Sequence, residues 1–399
     1  MSEMANQLGA IAFYLPQFHP TPENDLWWGK GFTEWTNVAQ AKKLYPGHLQ
    51  PVVPADLGFY DLRLAETREA QADLAKKFGI SGFCYWHYWF GGRRILERPF
   101  QEVLDTKKPD FPFCLGWANG TWSGIWVGAK DKILIEQTYP GPEDSEKHFQ
   151  YLLDAFNDPR YLKLAGKPIF LIYKPLEIPY LTQMIEQWRN LARASGLKGL
   201  HLIGVTQGGD VPFDAKSKGL DGICNEYQAQ LHAYATNKDF QKRLEQLNKP
   251  EGASFFRRIK YVLSERSLVW KYKLKRKMYK ILGWPAHLYQ YRDALKYFLP
   301  IKKYDYGVTK YAAAVPRWDH SPRCGKISMI LHGSTPELFR RHICELLAYT
   351  NLLPQGERIF FIKSWNEWAE GNYMEPDLHF GTSYLQVFHE EICRVRKSN

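Results

Sequence analysis

The chain has 399 residues, 45% hydrophobic and 24% charged, enough for a large core and for either two domains or one barrel with insertions. No run approaches about 18 uncharged apolar residues, so no membrane-spanning helix is expected. Met1 to Ala10 lack a basic stretch followed by an apolar one, so no secretory signal and a cytoplasmic location are expected.

Ala10 to Leu15 reads as a buried strand, stopped by the proline-punctuated loop Pro16-Gln17-Phe18-His19-Pro20. Aromatic and polar residues mix from Trp27 to Asn37, Trp35 among them. A helical pattern over Leu62 to Phe78 ends at Gly79. The second strand is Ile80 to Trp86, followed at once by His87-Tyr88-Trp89. A short helix, Pro99 to Leu104, precedes the third strand, Pro112 to Gly116, whose end carries Trp117-Ala118-Asn119-Gly120-Thr121-Trp122. A helix over Glu143 to Asn157 leads to the fourth strand, Pro168 to Tyr173. Another over Tyr180 to Ser195 leads to the fifth, Leu200 to Val205, closed by Thr206-Gln207. The sixth, Gly222 to Cys224, ends in Asn225-Glu226-Tyr227. A basic, mostly helical insertion then fills 230–305. The seventh strand, Tyr311 to Val315, ends in Pro316-Arg317-Trp318-Asp319. Thr335 to Thr350 is helical and opens with Thr-Pro-Glu, a cap followed by proline in the first turn. Arg358 to Ile362 is the eighth strand, and Ser383 to Lys397 the last helix.

Eight strands alternating with helices predict an α/β fold with a parallel sheet, closed as a (β/α)8 TIM barrel in one domain over 8–399. In such a barrel the side chains that do chemistry gather at the C-terminal ends of the strands. Seven of the eight expected strands end in Trp, His, Asn, Gln, Glu or Asp. The cysteines, Cys84, Cys114, Cys224, Cys324, Cys344 and Cys393, are scattered without a C-x-x-C pair. No disulfide framework, metal site or cofactor is expected.

The stretch after the eighth strand, Ser364 to Asp377, is unlike a buried strand and like a sugar site. It holds two tryptophans, an asparagine and the pair Glu367 and Glu370. Aromatic faces stack on pyranose C–H surfaces, amides bond hydroxyls, and paired carboxyls move protons across a glycosidic bond. The three-residue spacing puts both carboxyls on one side of a helical turn. Glu-x-x-Glu alone marks a solvated face more often than a site; its setting in Trp-Asn-Glu-Trp-x-Glu-Gly reverses that.

Asn366-Glu367-Trp368-x-Glu370-Gly371 resembles the catalytic segment of glycoside hydrolase family 99, the endo-α-mannosidases. The chain from Ile11 to Tyr384 resembles WbsX-type proteins of O-antigen and capsule clusters. The resemblance implies that Glu367 deprotonates a sugar 2-hydroxyl, which attacks C1 to give a 1,2-anhydro sugar, and that Glu370 protonates the leaving oxygen. Many such relatives carry Trp-Ala-Asn-Glu-Asn-Trp where this chain has Gly120 and Thr121, so one carboxylate is missing.

The expected substrate-binding residues are Gln17, His19, Trp35, His87, Trp89, Trp117, Asn119, Trp122, Tyr173, Trp318, Asp319, Trp365 and Asn366. For Asp319 the alternative is capping of the next turn. Glu34 and Glu226 are spare carboxylates, and Glu375-Pro376-Asp377 reads as loop support. The expected function is a glycoside hydrolase family 99-like enzyme acting on an oligosaccharide or surface polysaccharide. The alternative is a WbsX-type glycosyltransferase of O-antigen and lipopolysaccharide synthesis, although the chain has no Asp-x-Asp and no Gly-rich phosphate loop after the first strand. The retained glutamate pair speaks against a binding module without catalysis.

The formal charge of +11 is local. Between Thr236 and Lys303 there are 18 Lys and Arg against 5 Asp and Glu, a balance of +13 that leaves the rest of the chain at −2. With no recognisable motif, this excess does not imply nucleic-acid binding. It reads either as a solvated helical excursion or as peripheral contact with an anionic membrane surface or acidic glycan.

Overall fold

The computed structural model describes residues 8–124, 129–207, 213–238, 241–242, 255–300 and 305–398. The parts of the basic insertion at 239–240, 243–254 and 301–304 lie outside the described residues, as does the side chain of Gln207.

The eight barrel strands are β1 (Gly9–Tyr14), β2 (Gly82–His87), β3 (Phe113–Trp117), β4 (Lys167–Tyr173), β5 (His201–Gln207), β6 (Gly222–Glu226), β7 in two pieces (Thr309–Tyr311 and Ala313–Ala314) and β8 (Ile359–Ile362). All pair in parallel and in chain order from β1 to β6. β8 returns to β1, with Gly9 beside Ile359. The ring closes through β7. Its first piece pairs with β6, Thr309 beside Gly222, and its second with β8, Ala313 beside Phe361. The break at Ala312 leaves its carbonyl still accepting from the Phe361 N–H at 2.9 Å. The result is the (β/α)8 barrel expected from the alternation of elements.

The strands are near-continuous apolar runs because both faces are covered, by helices outside and by packed side chains within. Inside, Phe13 lies between Trp86, at 4.9 Å between ring centres, and Phe361, at 5.3 Å. Outside run the helices Ala65–Lys77, Arg98–Thr106, Pro142–Asn157, Leu181–Ala194, Pro336–Thr350 and Ser383–Ser398. Their ends lie within three residues of the sequence expectation. The largest shift has a cause: Leu62 is buried and its N–H goes to the Phe18 carbonyl, so the helix starts later.

Three features escaped the sequence reading. Two short helices, Pro22–Trp28 and Glu34–Gln40, fill the loop after β1, capped by Thr21 and Thr33. Thr21-Pro22-Glu23 carries the same cap-proline-acid signature that marked Thr335, but in a segment with no apolar period. A hairpin, Trp122–Gly124 with Ala129–Ile135, follows β3. A second small sheet sets His287–Gln290 parallel to Met329–His332, which pairs antiparallel with Trp318–Asp319. That sheet weaves the end of the basic insertion back into the barrel mouth.

Candidate active site

The last loop is built before it is chemical. Asn366–Glu367 pairs antiparallel with Asn372–Tyr373, and the single turn Trp368–Glu370 joins them. Asn366 ties this hairpin to β1, accepting from the Leu15 N–H at 2.7 Å and donating to the Leu15 carbonyl at 3.0 Å. Glu375 braces it from below. Its carboxylate accepts from Trp368 Nε1 at 2.6 Å, Gln71 Nε2 at 2.6 Å and the Tyr60 hydroxyl at 2.8 Å. Burial pushes Glu375 up to about 7 despite these bonds. Gly371, at φ 62°, ends the turn where a Cβ would lie 2.8 Å from the Asp319 backbone nitrogen. Only glycine meets both demands.

Glu367 and Glu370 meet at one guanidinium. Arg323, on the short helix Ser321–Cys324 after β7, donates from Nη2 to Glu367 Oε1 at 2.9 Å and from Nη1 to Glu370 Oε1 at 2.5 Å. Its Nε donates to Glu34 Oε2 at 3.1 Å, from the helix after β1. Three carboxyl groups from two distant segments therefore share one buried cation. Asn372 Nδ2 donates to the far oxygen of Glu370 at 3.4 Å, and His320 stands 3.7 Å from the near one.

The two glutamates are driven apart electrostatically. Burial, reinforced by the charges of Glu370 and Glu34, pushes Glu367 well above the usual carboxylate range, with Arg323 pulling the other way. Burial also opposes the charge on Glu370, but Arg323, His320 and Lys363 outweigh it and hold that group below its ordinary value. The surroundings of the unliganded site thus favour the proton on Glu367 and the negative charge on Glu370. Two carboxyls of split affinity are the raw material of acid–base chemistry.

Both face a cleft of about 470 Å³, the size of an ordinary small-ligand site. Its walls are aromatic rings and polar ends: Trp28, Trp86, Tyr88, Trp122 and Tyr173 with Gln17, Asn37 and Lys363. Rings that stack and amides that bond hydroxyls suit a sugar. Of the residues singled out in the sequence, Gln17, Trp122, Tyr173 and the spare carboxylate Glu34 line this cleft with the two glutamates. Gln17 donates to the Tyr88 hydroxyl at 3.0 Å.

Others sit behind the wall. His87 and His148 bond through their Nε2 atoms at 2.8 Å, and burial drives His87 down to about 3. Trp89 lies flat on His148, ring centres 4.7 Å apart, and bonds Asp144. Trp117 donates to the Trp89 carbonyl at 3.2 Å, and Asn119 to the Tyr139 hydroxyl at 2.9 Å. Trp35 donates to the Tyr60 carbonyl at 2.7 Å, while His19, Trp365 and Asn366 are buried. Trp318 and Asp319 border a second, smaller cavity of about 110 Å³ on the far side of Gly371. There Asp319 accepts from His48 Nε2 at 2.8 Å and Gln50 Nε2 at 2.7 Å, and it also bonds the Ser321 N–H at 2.9 Å, the capping alternative.

Arg323 was not read from the sequence. Its only signal is position: an arginine a few residues beyond a barrel strand lies on the functional face. Lys363, the residue after β8, was missed in the same way.

A family model described as glycosyltransferase WbsX matches residues 10–388. Proteins from two strains of Xanthomonas campestris pv. campestris, each named "Uncharacterized protein WxcX", are 34% identical over 393 and 387 residues. The match takes in 96% of this chain and 50% of each relative, so the chain spans about half the length of the curated relatives it matches. Among solved structures, a glycoside hydrolase-like protein aligns with a TM-score of 0.56 at 14% identity, over 97% of this chain and 94% of its own. A GH99 endo-alpha-mannosidase from Bacteroides thetaiotaomicron, in complex with bis-tris-propane, aligns with a TM-score of 0.55 at 14% identity, over 99% of this chain and 100% of its own. At these identities the structural likeness speaks for the fold.

Proposed function

The chain belongs to the glycosyltransferase WbsX family, and from that premise we propose that it is a carbohydrate-active enzyme whose cleft acts on glycosidic bonds of a surface polysaccharide. Glu367 and Glu370 serve as the acid–base pair. One observation carries the reading: two carboxyls of split proton affinity share Arg323 at the floor of a cleft walled by aromatic rings.

Following the resemblance to family 99 hydrolases, Glu367 is the base toward the sugar 2-hydroxyl and Glu370 the acid toward the leaving oxygen. The preference of the unliganded site for the proton on Glu367 must then reverse as sugar enters. A bound hydroxyl that takes Arg323's place beside Glu367 and Glu370 removes a charge that lowers both, and leaves the sugar and the remaining neighbours to decide which carboxyl holds the proton. The resting polarisation itself favours a second assignment, with Glu367 as donor and Glu370 as base.

Transfer is the second reaction class, supported by the family's description as a glycosyltransferase. A transferase needs a sugar carrying an activated leaving group, and the cations Arg323 and Lys363 beside the cleft suit an anionic one.

The purified chain is to be incubated with oligosaccharides of the organism's own surface polysaccharide, with and without nucleotide-sugar donors, and products read by mass spectrometry. Shortened or rearranged glycan without donor supports hydrolysis or transglycosylation. Extension only with donor supports the transferase. No product in either arm, or equal product from Glu367→Gln and Glu370→Gln, removes the pair from the mechanism.

A further inference from the structure

The helix Phe255–Ile281 of the insertion has two unlike faces, and its rotation is locked. Glu265, Val269, Tyr272 and Tyr279 point inward and are buried. Glu265 accepts from Lys296 at 2.6 Å and from the Tyr297 hydroxyl at 3.0 Å. The Tyr272 hydroxyl donates to Asp293 at 2.7 Å and accepts from the Gln290 N–H at 2.9 Å. These bonds fix which side faces out.

The outward side is apolar. Leu263, Trp270, Leu274 and Ile281, spaced by seven, four and seven residues, fall on one line of a 3.6-residue helix, opposite the buried set. They are 62%, 68%, 53% and 86% exposed, with Met278 beside them at 46%. Single exposed apolar residues are ordinary; a file of them along one helix is not. Lys273, Lys277 and Lys280 run along one edge of this file, exposed and without an acidic partner among the described residues. From Arg266 to Ile281 the sequence contains no acidic residue. Trp270 and Leu274 form a shallow recess with Lys273, Arg276, Lys277 and Lys280, apolar at its base and cationic at its rim.

We propose that this face docks on an anionic lipid bilayer, lying in the plane of the interface with Leu263, Trp270, Leu274 and Ile281 in the acyl boundary and the lysines on lipid phosphates. The charge pattern selects this occupant. A second copy meeting the face would set lysine edge against lysine edge, whereas an anionic surface neutralises it. Tryptophan prefers the headgroup level, and lysine stems lie along apolar surface while their ammonium groups reach phosphate. The helix lies on the membrane and does not cross it: no helix among the described residues is long and apolar enough to span a bilayer.

The fold connects this face to the cleft. The insertion follows β6, so it rides at the barrel end that carries Glu367. Tyr279 packs on Trp284, which packs on Tyr45; Tyr45 stacks on His48, and His48 bonds Asp319 beneath Gly371. Docking holds the mouth end of the barrel at the membrane, where a lipid-anchored acceptor or substrate is confined. The docking stands independently of the chemistry in the cleft.

The full chain is to be mixed with phosphatidylcholine vesicles, with and without phosphatidylglycerol, and bound protein separated by flotation. Binding is expected only to the anionic vesicles, and weaker as salt rises. Lys273→Gln, Lys277→Gln and Lys280→Gln together are expected to lower the partition coefficient by a factor on the order of 10². Trp270→Ala with Ile281→Ser is expected to lower it at all salt concentrations. Circular dichroism of each variant is to match the parent. Failure of the parent to float with anionic vesicles at low ionic strength overturns the proposal. So does parent-like binding by both variants. Concentration-dependent dimerisation that Trp270→Ala abolishes, without vesicle binding, also overturns it and assigns the face to a second copy.

Discussion

Replacing Arg323 with methionine removes a cation while keeping a similar volume. In the parent the guanidinium bonds Glu34, Glu367 and Glu370 and is 8% exposed. Breaking a buried charge pair by deleting one partner costs about 3–5 kcal/mol, because the other charge stays behind without compensation. Here three carboxyls stay behind, so the upper part of that range is expected at pH 7. The pH dependence carries the diagnosis. Glu370 is held below its unfolded value in the parent, so it adds stability above the unfolded carboxylate pKa and loses it as pH falls through the folded value. Glu367 is held above its unfolded value, so its contribution is full in acid and is lost as pH rises through the folded value. Without Arg323 both groups rise, and Glu370 changes sign. The gap between parent and Arg323→Met should therefore widen from acid to neutral pH, at about 1.4 kcal/mol per unit for each extra proton held. Denaturant unfolding at intervals from pH 4 to pH 8 measures it. Adding Glu34→Gln to the variant should recover part of the loss, because one uncompensated charge disappears. A gap that does not change with pH, or a variant as stable as the parent at pH 7, would refute the shared-cation account.

Other expectations are more local. Glu367→Gln and Glu370→Gln should each lower turnover by a factor on the order of 10² or more; a substrate with a good leaving group should rescue the proton donor's variant alone, so rescue of Glu370→Gln supports the family-99 roles and rescue of Glu367→Gln the reversed ones. Gly371→Ala should cost about 2–4 kcal/mol, since φ is 62° and the new methyl meets Asp319 at 2.8 Å, with activity falling as the turn shifts; parent-like unfolding would show that the turn gives way freely. Arg317→Met should cost about 3–5 kcal/mol at neutral pH, because it strands Asp377 and vacates a slot 4.0 Å above Tyr373 and 4.4 Å from Tyr384. Asp377 is held below its ordinary value, burial notwithstanding, so that loss should shrink in acid; equal losses at pH 4 and pH 7 would contradict the pairing.

The strands were legible because burial on both faces makes each one a short apolar run, and alternation with amphipathic helices leaves a parallel barrel as the compact arrangement. The glutamate pair was legible because its neighbours, Trp365, Asn366 and Trp368, are not residues a plain turn needs. What those neighbours do was not. Trp365 and Asn366 turned out to hold the loop onto β1, and Trp368 donates to Glu375. His87, Trp89 and Trp117 follow strand ends as cleft residues would, yet they pack together around His148, which lies 61 positions beyond His87. Position along a strand end says which face of the barrel a residue joins; it does not say whether the side chain turns toward the axis or out under a helix. Arg323 marks the boundary most clearly. Nothing within several residues of it announces a role, because its partners lie at 34, 367 and 370, and only the closed ring brings them within reach of one guanidinium. The charge on Glu370 follows from that encounter: a carboxyl's residue type sets its ordinary proton affinity, and the burial and counter-charges that move it are properties of the fold.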